Sequence, residues 1–180
     1  MKKYCIVFAL FFIIIVTAAV CAKPTASGET GAYLRLHVRA NSDSAADQAV
    51  KYEVKEAVVD YLTPIAASAE SKEEAIAALN SAIPGIEAAA DAVLAANGFS
   101  YVSRAEIRAE EFPTRVYEGV TLEAGVYDAL IVELGSGQGA NWWCVVYPPL
   151  CFAGRPGENV QYRSRIWEII QNFFSDRKDG

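Results

Sequence analysis

At Phe99 the chain changes its hydrophobic period, and that change limits the fold more than any other feature of the sequence. Upstream, residues 68–97 are rich in alanine, with Ser71-Lys72-Glu73-Glu74 as a helix start and Asn97-Gly98 as a helix end. Downstream, Tyr101, Ala105, Ile107 and Ala109 alternate with Val102, Arg104, Glu106, Arg108 and Glu110, the two-residue period of a strand. The alternating signs of the charged set suit an exposed sheet face with cross-strand or diagonal pairing. Helical patterns before this point and strand patterns after it imply an α+β fold.

The remaining elements follow from the same rules. Leu34, Leu36 and Val38 alternate with Arg35, His37 and Arg39, which predicts a half-buried strand whose charged side faces solvent. Asn41-Ser42-Asp43-Ser44 ends it, and Ser44 with Asp47 three residues on resembles a capping box. A helix then runs to about Leu62 on an apolar face of Val50, Val54, Ala57, Val58, Tyr61 and Leu62, closed by Pro64. Pro84 divides the alanine-rich stretch into two helices that pack as a hairpin. Val126–Leu134 and Trp142–Tyr147 read as strands, joined through Gly135–Asn141 as an antiparallel hairpin. A final helix covers about 162–175. The expected architecture is a mostly antiparallel sheet of about four strands, with a helical insertion after strand one and a C-terminal helix. Leu34, Leu36 and Val38 are expected to pack on Val50, Val54 and Val58.

The N-terminus reads differently. Lys2 and Lys3 precede an apolar run from Tyr4 to Ala22 that holds one polar side chain, Thr17. This predicts an export signal over residues 1–22, cut before Lys23, or an uncleaved membrane anchor, since the run is near the ~20 residues that span a bilayer. Residues 23–31 read as a linker and 32–180 as a single domain. The 180-residue chain carries a net charge of −6; residues 1–22 hold two lysines and no carboxylate, so the remainder stands at −8. Such acidity argues against sequence-independent nucleic-acid binding and against a polybasic membrane patch. Membrane attachment is expected only through residues 4–22, if these are not removed.

No catalytic, cofactor or metal constellation emerges. Gly135–Gly139 is followed by an aromatic strand, not a helix, and lacks the lysine of a phosphate loop. Cys144 and Cys151 with the single His37 are too few for a zinc site without carboxylates. In an exported domain the two cysteines read as a disulfide, the alternative being two buried thiols. A thiol hydrolase would need His37 beside Cys144 or Cys151; the blander reading makes His37 a polar residue on a solvated strand face. Trp142 and Trp143 point to opposite faces of a strand, either as core and surface anchor or as two core residues. A wall-binding module stacking sugars on one of them is a further alternative.

The segment Leu34-Arg35-Leu36-His37-Val38-Arg39-Ala40-Asn41-Ser42-Asp43-Ser44-Ala45-Ala46-Asp47-Gln48 resembles the start of the stage II sporulation protein R family. So do Phe112-Pro113-Thr114 and Ala124-Gly125 with Tyr127, Ala129 and Leu130. The strongest likeness is Gly137-Gln138-Gly139-Ala140-Asn141-Trp142-Trp143-Cys144 running into Pro148-Pro149-Leu150-Cys151-Phe152. Ala45 departs from the proline frequent there, and nothing is carried over beyond Phe152. The resemblance implies a non-enzymatic protein made in the forespore of a sporulating bacterium. It would be exported into the space between forespore and mother cell, to activate a membrane protease, stage II sporulation protein GA, that cleaves the sigma-E precursor. Asn141, Trp142, Trp143, Pro148, Pro149, Leu150 and Phe152 are the candidate partner contacts.

Overall fold

A computed structural model describes residues 28–117, 120–152 and 160–177. The expected export segment, the linker up to residue 27 and the stretch 153–159 lie outside the described residues. The last part of the linker, Gly28–Ala32, forms a short 3-10 helix. Six strands and three α-helices follow: β1 (Leu34–Arg39), α1 (Ala45–Ser68), α2 (Lys72–Ala96), β2 (Ser103–Phe112), β3 (Arg115–Tyr117), β4 (Val120–Leu122), β5 (Gly125–Leu134), β6 (Asn141–Tyr147) and α3 (Val160–Asp176).

The main sheet has the order β2-β5-β1-β6, and β3 and β4 form a separate two-stranded hairpin. β1 runs parallel to β5 and antiparallel to β6, while β2 is antiparallel to β5. The α+β class, the helical insertion after the first strand and the C-terminal helix are as expected. The β5–β6 hairpin is not, because β1 lies between those strands. Their connection therefore crosses the end of β1, about two strand spacings away. It is tied down there by bonds from Gly139 N to the Ala40 carbonyl (2.8 Å) and from the Ser136 hydroxyl to the Asn41 carbonyl (2.6 Å). Gly139 lies so close to Ser42 that a Cβ would collide with its carbonyl.

Both interior prolines sit inside helices instead of ending them. The buried stripe Ala75, Leu79, Ile86, Ala90 and Leu94 continues straight through Pro84, so packing against α1 outweighs the missing hydrogen bond. Gly85 helps, because its bare backbone leaves room for the Tyr61 side chain of α1. The alanine-rich stretch is thus one helix that pairs with α1. Carboxylates of α2 also cover the outer edge of β2: Asp91 accepts from Ser103 N (2.6 Å) and Glu87 from Ala105 N (2.8 Å).

Leu34, Leu36 and Val38 pack with Val50, Val54 and Val58 in one core, joined by Leu130, Val132 and by Ile166, Ile169 and Ile170 of α3. A second, smaller core lies on the other side of the sheet, around Tyr33, Phe112, Leu122, Tyr127, Ala129, Ile131 and Val145. Three-residue strands such as β3 and β4 are too short to show a period, and this hairpin is what closes the second core.

Candidate functional site

Pleating places Arg35, His37 and Arg39 on the side of β1 away from the helices. This side is not solvated as expected: Arg35 is 0 % and His37 3 % exposed. The β3–β4 hairpin and side chains of β2, β5 and β6 cover it.

The Arg35 guanidinium lies 4.3 Å from the ring centre of Phe112, 4.8 Å from Tyr127 and 5.4 Å from Tyr117. It donates to the Tyr117 hydroxyl (2.8 Å) and, through Nε, to the Cys144 carbonyl (3.3 Å). Burial lowers its pKa, although Tyr117 and Tyr127 oppose the shift. The residue thus pins the hairpin to the sheet through three rings, a hydroxyl and a carbonyl.

His37 meets Glu110 through Nδ1 at 2.8 Å and stacks on Trp143 at 5.5 Å between ring centres. Burial lowers the His37 pKa, outweighing Asn141 and Glu110, which favour the cation. Arg39 bridges Glu110 and Glu133, and Arg108 bridges the same two carboxylates as well as Glu106. Burial alone would raise the Glu110 pKa, but Arg108, Arg39 and His37 outweigh it and hold the carboxyl below its ordinary range. The alternating charges of β2 do pair, but Arg108 meets Glu106 and Glu110 along its own strand as well as Glu133 of β5, where cross-strand or diagonal pairing was expected.

The two indoles are both half-buried, on opposite sides of β6. Trp143 faces His37 across the strands, with the Arg115 guanidinium 4.2 Å from its ring centre. Trp142 lies opposite Val38 on the helix side, with Lys55 Nζ 5.4 Å from its ring centre. His37 and Arg115 thus both lie against the half-buried Trp143 ring.

Cys144 and Cys151 form a disulfide with Cα atoms 5.7 Å apart. The chain turns back at Pro148-Pro149, where Leu150 N donates to the Pro148 carbonyl (2.7 Å). Cys144 pairs with Leu36, placing it on the helix side of the sheet, away from His37. The dyad a thiol hydrolase needs is therefore not assembled. Of the candidate contacts, Asn141 is exposed and Trp142, Trp143 and Leu150 are half-buried, whereas Pro148, Pro149 and Phe152 are buried. These last three are held within the domain's own packing. Among the described residues no group of three or more His, Cys, Asp or Glu could hold a metal ion.

One cluster was not foreseen. Asp47 accepts from Ser42 Oγ, Tyr101 Oη (2.5 Å) and Asn41 Nδ2 (3.0 Å), while Asp47 N donates to Ser44 Oγ (3.1 Å). The bonds from Ser42 and Tyr101, then Asn41 and Ser44, hold its carboxyl down to about 2, against the opposing effect of burial. Buried Lys51 donates to the Ala140 carbonyl (3.0 Å), and Ala140 N donates to Asp43 (2.7 Å). The signal was present: four turn residues in a row at 41–44 exceed what a single helix cap requires.

Two segments of the family-like sequence, 34–48 and 137–144, thus meet at one end of the sheet. The family model for stage II sporulation protein R matches residues 30–156. The chain belongs to the stage II sporulation protein R family. It is 39 % identical over 119 residues to the stage II sporulation protein R of Bacillus subtilis (strain 168), covering 66 % of this chain and 53 % of that protein. The chain thus spans about half the length of this curated relative. No solved structure matches it. Family membership gives the chain a role in sporulation.

Proposed function

We propose that this protein is an exported forespore signal that activates the mother-cell membrane protease stage II sporulation protein GA, and so the cleavage of the sigma-E precursor. The observation that carries this reading is the family match across residues 30–156, which includes all six strands and both helices of the insertion. The geometry is in keeping with a ligand: its histidine is enclosed and its two described cysteines are bonded to each other. Lys2-Lys3 and the apolar run to Ala22 supply the route out of the cell.

Reconstitution tests the proposal. Co-expression of this chain with the protease and the sigma-E precursor is expected to yield cleaved sigma-E, and omission of this chain is expected to leave the precursor intact. Intact mass of the exported product should show a start near Lys23, or the full chain if the segment is kept as an anchor. Cleavage that proceeds equally without the chain overturns the signalling role. Activity confined to the cytoplasm overturns export.

A further inference from the structure

The two edges of the main sheet are finished differently. The β2 edge is covered by Glu87 and Asp91 of α2. β6, the other edge, runs at Tyr147 into Pro148-Pro149 and the short 3-10 turn Leu150–Phe152. The described backbone bonds of this turn, from Leu150 N to the Pro148 carbonyl and from Phe152 N to the Pro149 carbonyl, stay inside it. The Cys144–Cys151 disulfide ties it to β6, and Phe152, 0 % exposed, ties it to the helix-side core. Leu150 packs against the cores on both sides of the sheet, a position open only to a residue at the sheet's margin. Phe173 of α3 does the same, meeting Tyr147 at 5.9 Å and Tyr33 at 5.3 Å between ring centres.

The bridge acts locally. Its cysteines are seven positions apart, so the closed loop restrains little of the unfolded chain and adds little to global stability beside the core between β1 and α1. Its loss is felt at the margin: the turn, Leu150 and the seat of Phe173 are released while β1, β5 and α1 stay packed. The bond also depends on where the chain is. Thiols are kept reduced in the cytosol, and disulfides persist outside it. A chain carried out by an export segment is therefore made as a dithiol and completed only on the far side.

Resting on the export and signalling reading above, we propose that closing Cys144–Cys151 is the switch that makes the chain competent to signal, so that it is silent where it is made and active only once exported. The oxidant is the disulfide of an exported thiol–disulfide exchange protein. The Cys151 thiolate attacks that disulfide and releases one donor thiol, since Cys151 is half-buried and Cys144 only 8 % exposed. The Cys144 thiolate then displaces the second donor thiol, and the Cys144–Cys151 bond forms. Two electrons and two protons pass from the cysteines to the donor, which leaves as its dithiol.

In the test, the full-length chain is co-expressed with the protease and the sigma-E precursor, and thiols are trapped with a maleimide. The exported chain is expected to carry the bridge, and the cytoplasmic chain free thiols at 144 and 151. Cys144→Ala/Cys151→Ala is expected to lower precursor cleavage by about tenfold or more, because a released turn leaves only a minor fraction of molecules competent. Hydrogen exchange in β1 and β5 of that variant should stay slow. Full cleavage with the folded variant, or free thiols at both positions in an exported chain that signals, overturns the proposal. Should the variant fail to fold, the exported wild type treated with the membrane-impermeant reductant 2-mercaptoethanesulfonate takes its place. Exchange is expected to quicken at 144–152 and not in β1 or β5, and cleavage to fall by the same factor and return on washout. Undiminished cleavage or unchanged exchange overturns the switch, and so does loss of protection across the whole sheet, which would make the bond a general brace. If the oxidised wild type triggers no cleavage, the signalling reading fails. Trapping and exchange then decide alone: a bridge that is absent after export, or whose reduction leaves 144–152 protected, overturns the device.

Discussion

On its helix side β1 buries Leu34, Leu36 and Val38 against valines of α1; on its hairpin side it buries Arg35 and His37 and half-buries Arg39. The first side is held by non-directional burial, worth roughly 25 cal/mol per Å² of apolar surface. The second is held by contacts that work in one geometry: a guanidinium among three rings, an imidazole against a carboxylate, two arginines shared by two glutamates. Each polar group there was desolvated to reach its place, and that cost offsets much of what the contact returns. The difference separates two jobs. The apolar side makes the domain stable, and the polar side fixes where the hairpin and Trp143 sit.

The largest expected effect is on the apolar side. Leu36→Ala removes a 0 % exposed side chain from the centre of the core and should cost about 2–5 kcal/mol in denaturant unfolding. Arg39→Ala, at a half-buried and multiply bridged position, should cost clearly less. Equal losses would break the comparison.

The end of the sheet offers an intermediate case, since Asp47 is buried and served by neutral donors. Its folded-state carboxyl, at about 2, lies below the ordinary value of 3.8. Its contribution is therefore fully present above pH ~4 and is lost as pH falls toward ~2, a change of about 2 kcal/mol. Urea unfolding across that range should show a loss larger by about 2 kcal/mol in the wild type than in Asp47→Asn, which should already be weaker at neutral pH.

How much of this was legible in the sequence depended on whether a signal was periodic. Leu34, Leu36 and Val38 announced both the strand and its core face, and the partner stripe on α1 followed at helical spacing. Pro64 and Pro84 misled, because a local rule about helix ends was overruled by an apolar stripe running unbroken past both positions. The arginines of β1 misled for the opposite reason. Alternation shows which residues share a face, but not whether a hairpin of two three-residue strands far along the chain will cover it. Trp142-Trp143 stood out by composition, while the cations covering each ring come from α1 and β3, distant in sequence.

Smaller effects belong to the ion-paired half of the polar side. Glu110→Gln leaves Arg39 and Arg108 sharing one fewer carboxylate and should cost about 1 kcal/mol, because the cations are partly open to solvent. His37 sharpens this further. Its pKa is lowered in the folded state, so the unfolded chain binds the proton first, and stability falls as pH drops below ~6.5. Glu110, Arg39 and Asn141 face the imidazole, and the neighbouring cation adds to its resistance. This arm of the pH profile should be missing in His37→Phe, as read by thermal melts on both sides of that pH. A profile unchanged by the substitution would show that the imidazole is not what titrates there.

Arg35→Met should have the smallest effect on stability and is the most informative. The substitution keeps a long side chain among Phe112, Tyr117 and Tyr127 and removes a charge that no carboxylate among the described residues balances. Replacing buried charge with apolar volume is often neutral or stabilising, so the unfolding free energy should move by no more than about 1 kcal/mol. What it removes is direction: the bond to the Tyr117 hydroxyl and the Nε contact with the Cys144 carbonyl. The β3–β4 hairpin should then exchange its amide hydrogens faster while β1 and β5 remain protected, a local opening without global loss. If melting falls by as much as in Leu36→Ala, Arg35 is a core residue like its neighbours and the division of labour between the two faces is wrong. If neither melting nor exchange changes, the three rings alone hold the hairpin, and the charge at their centre has no structural role.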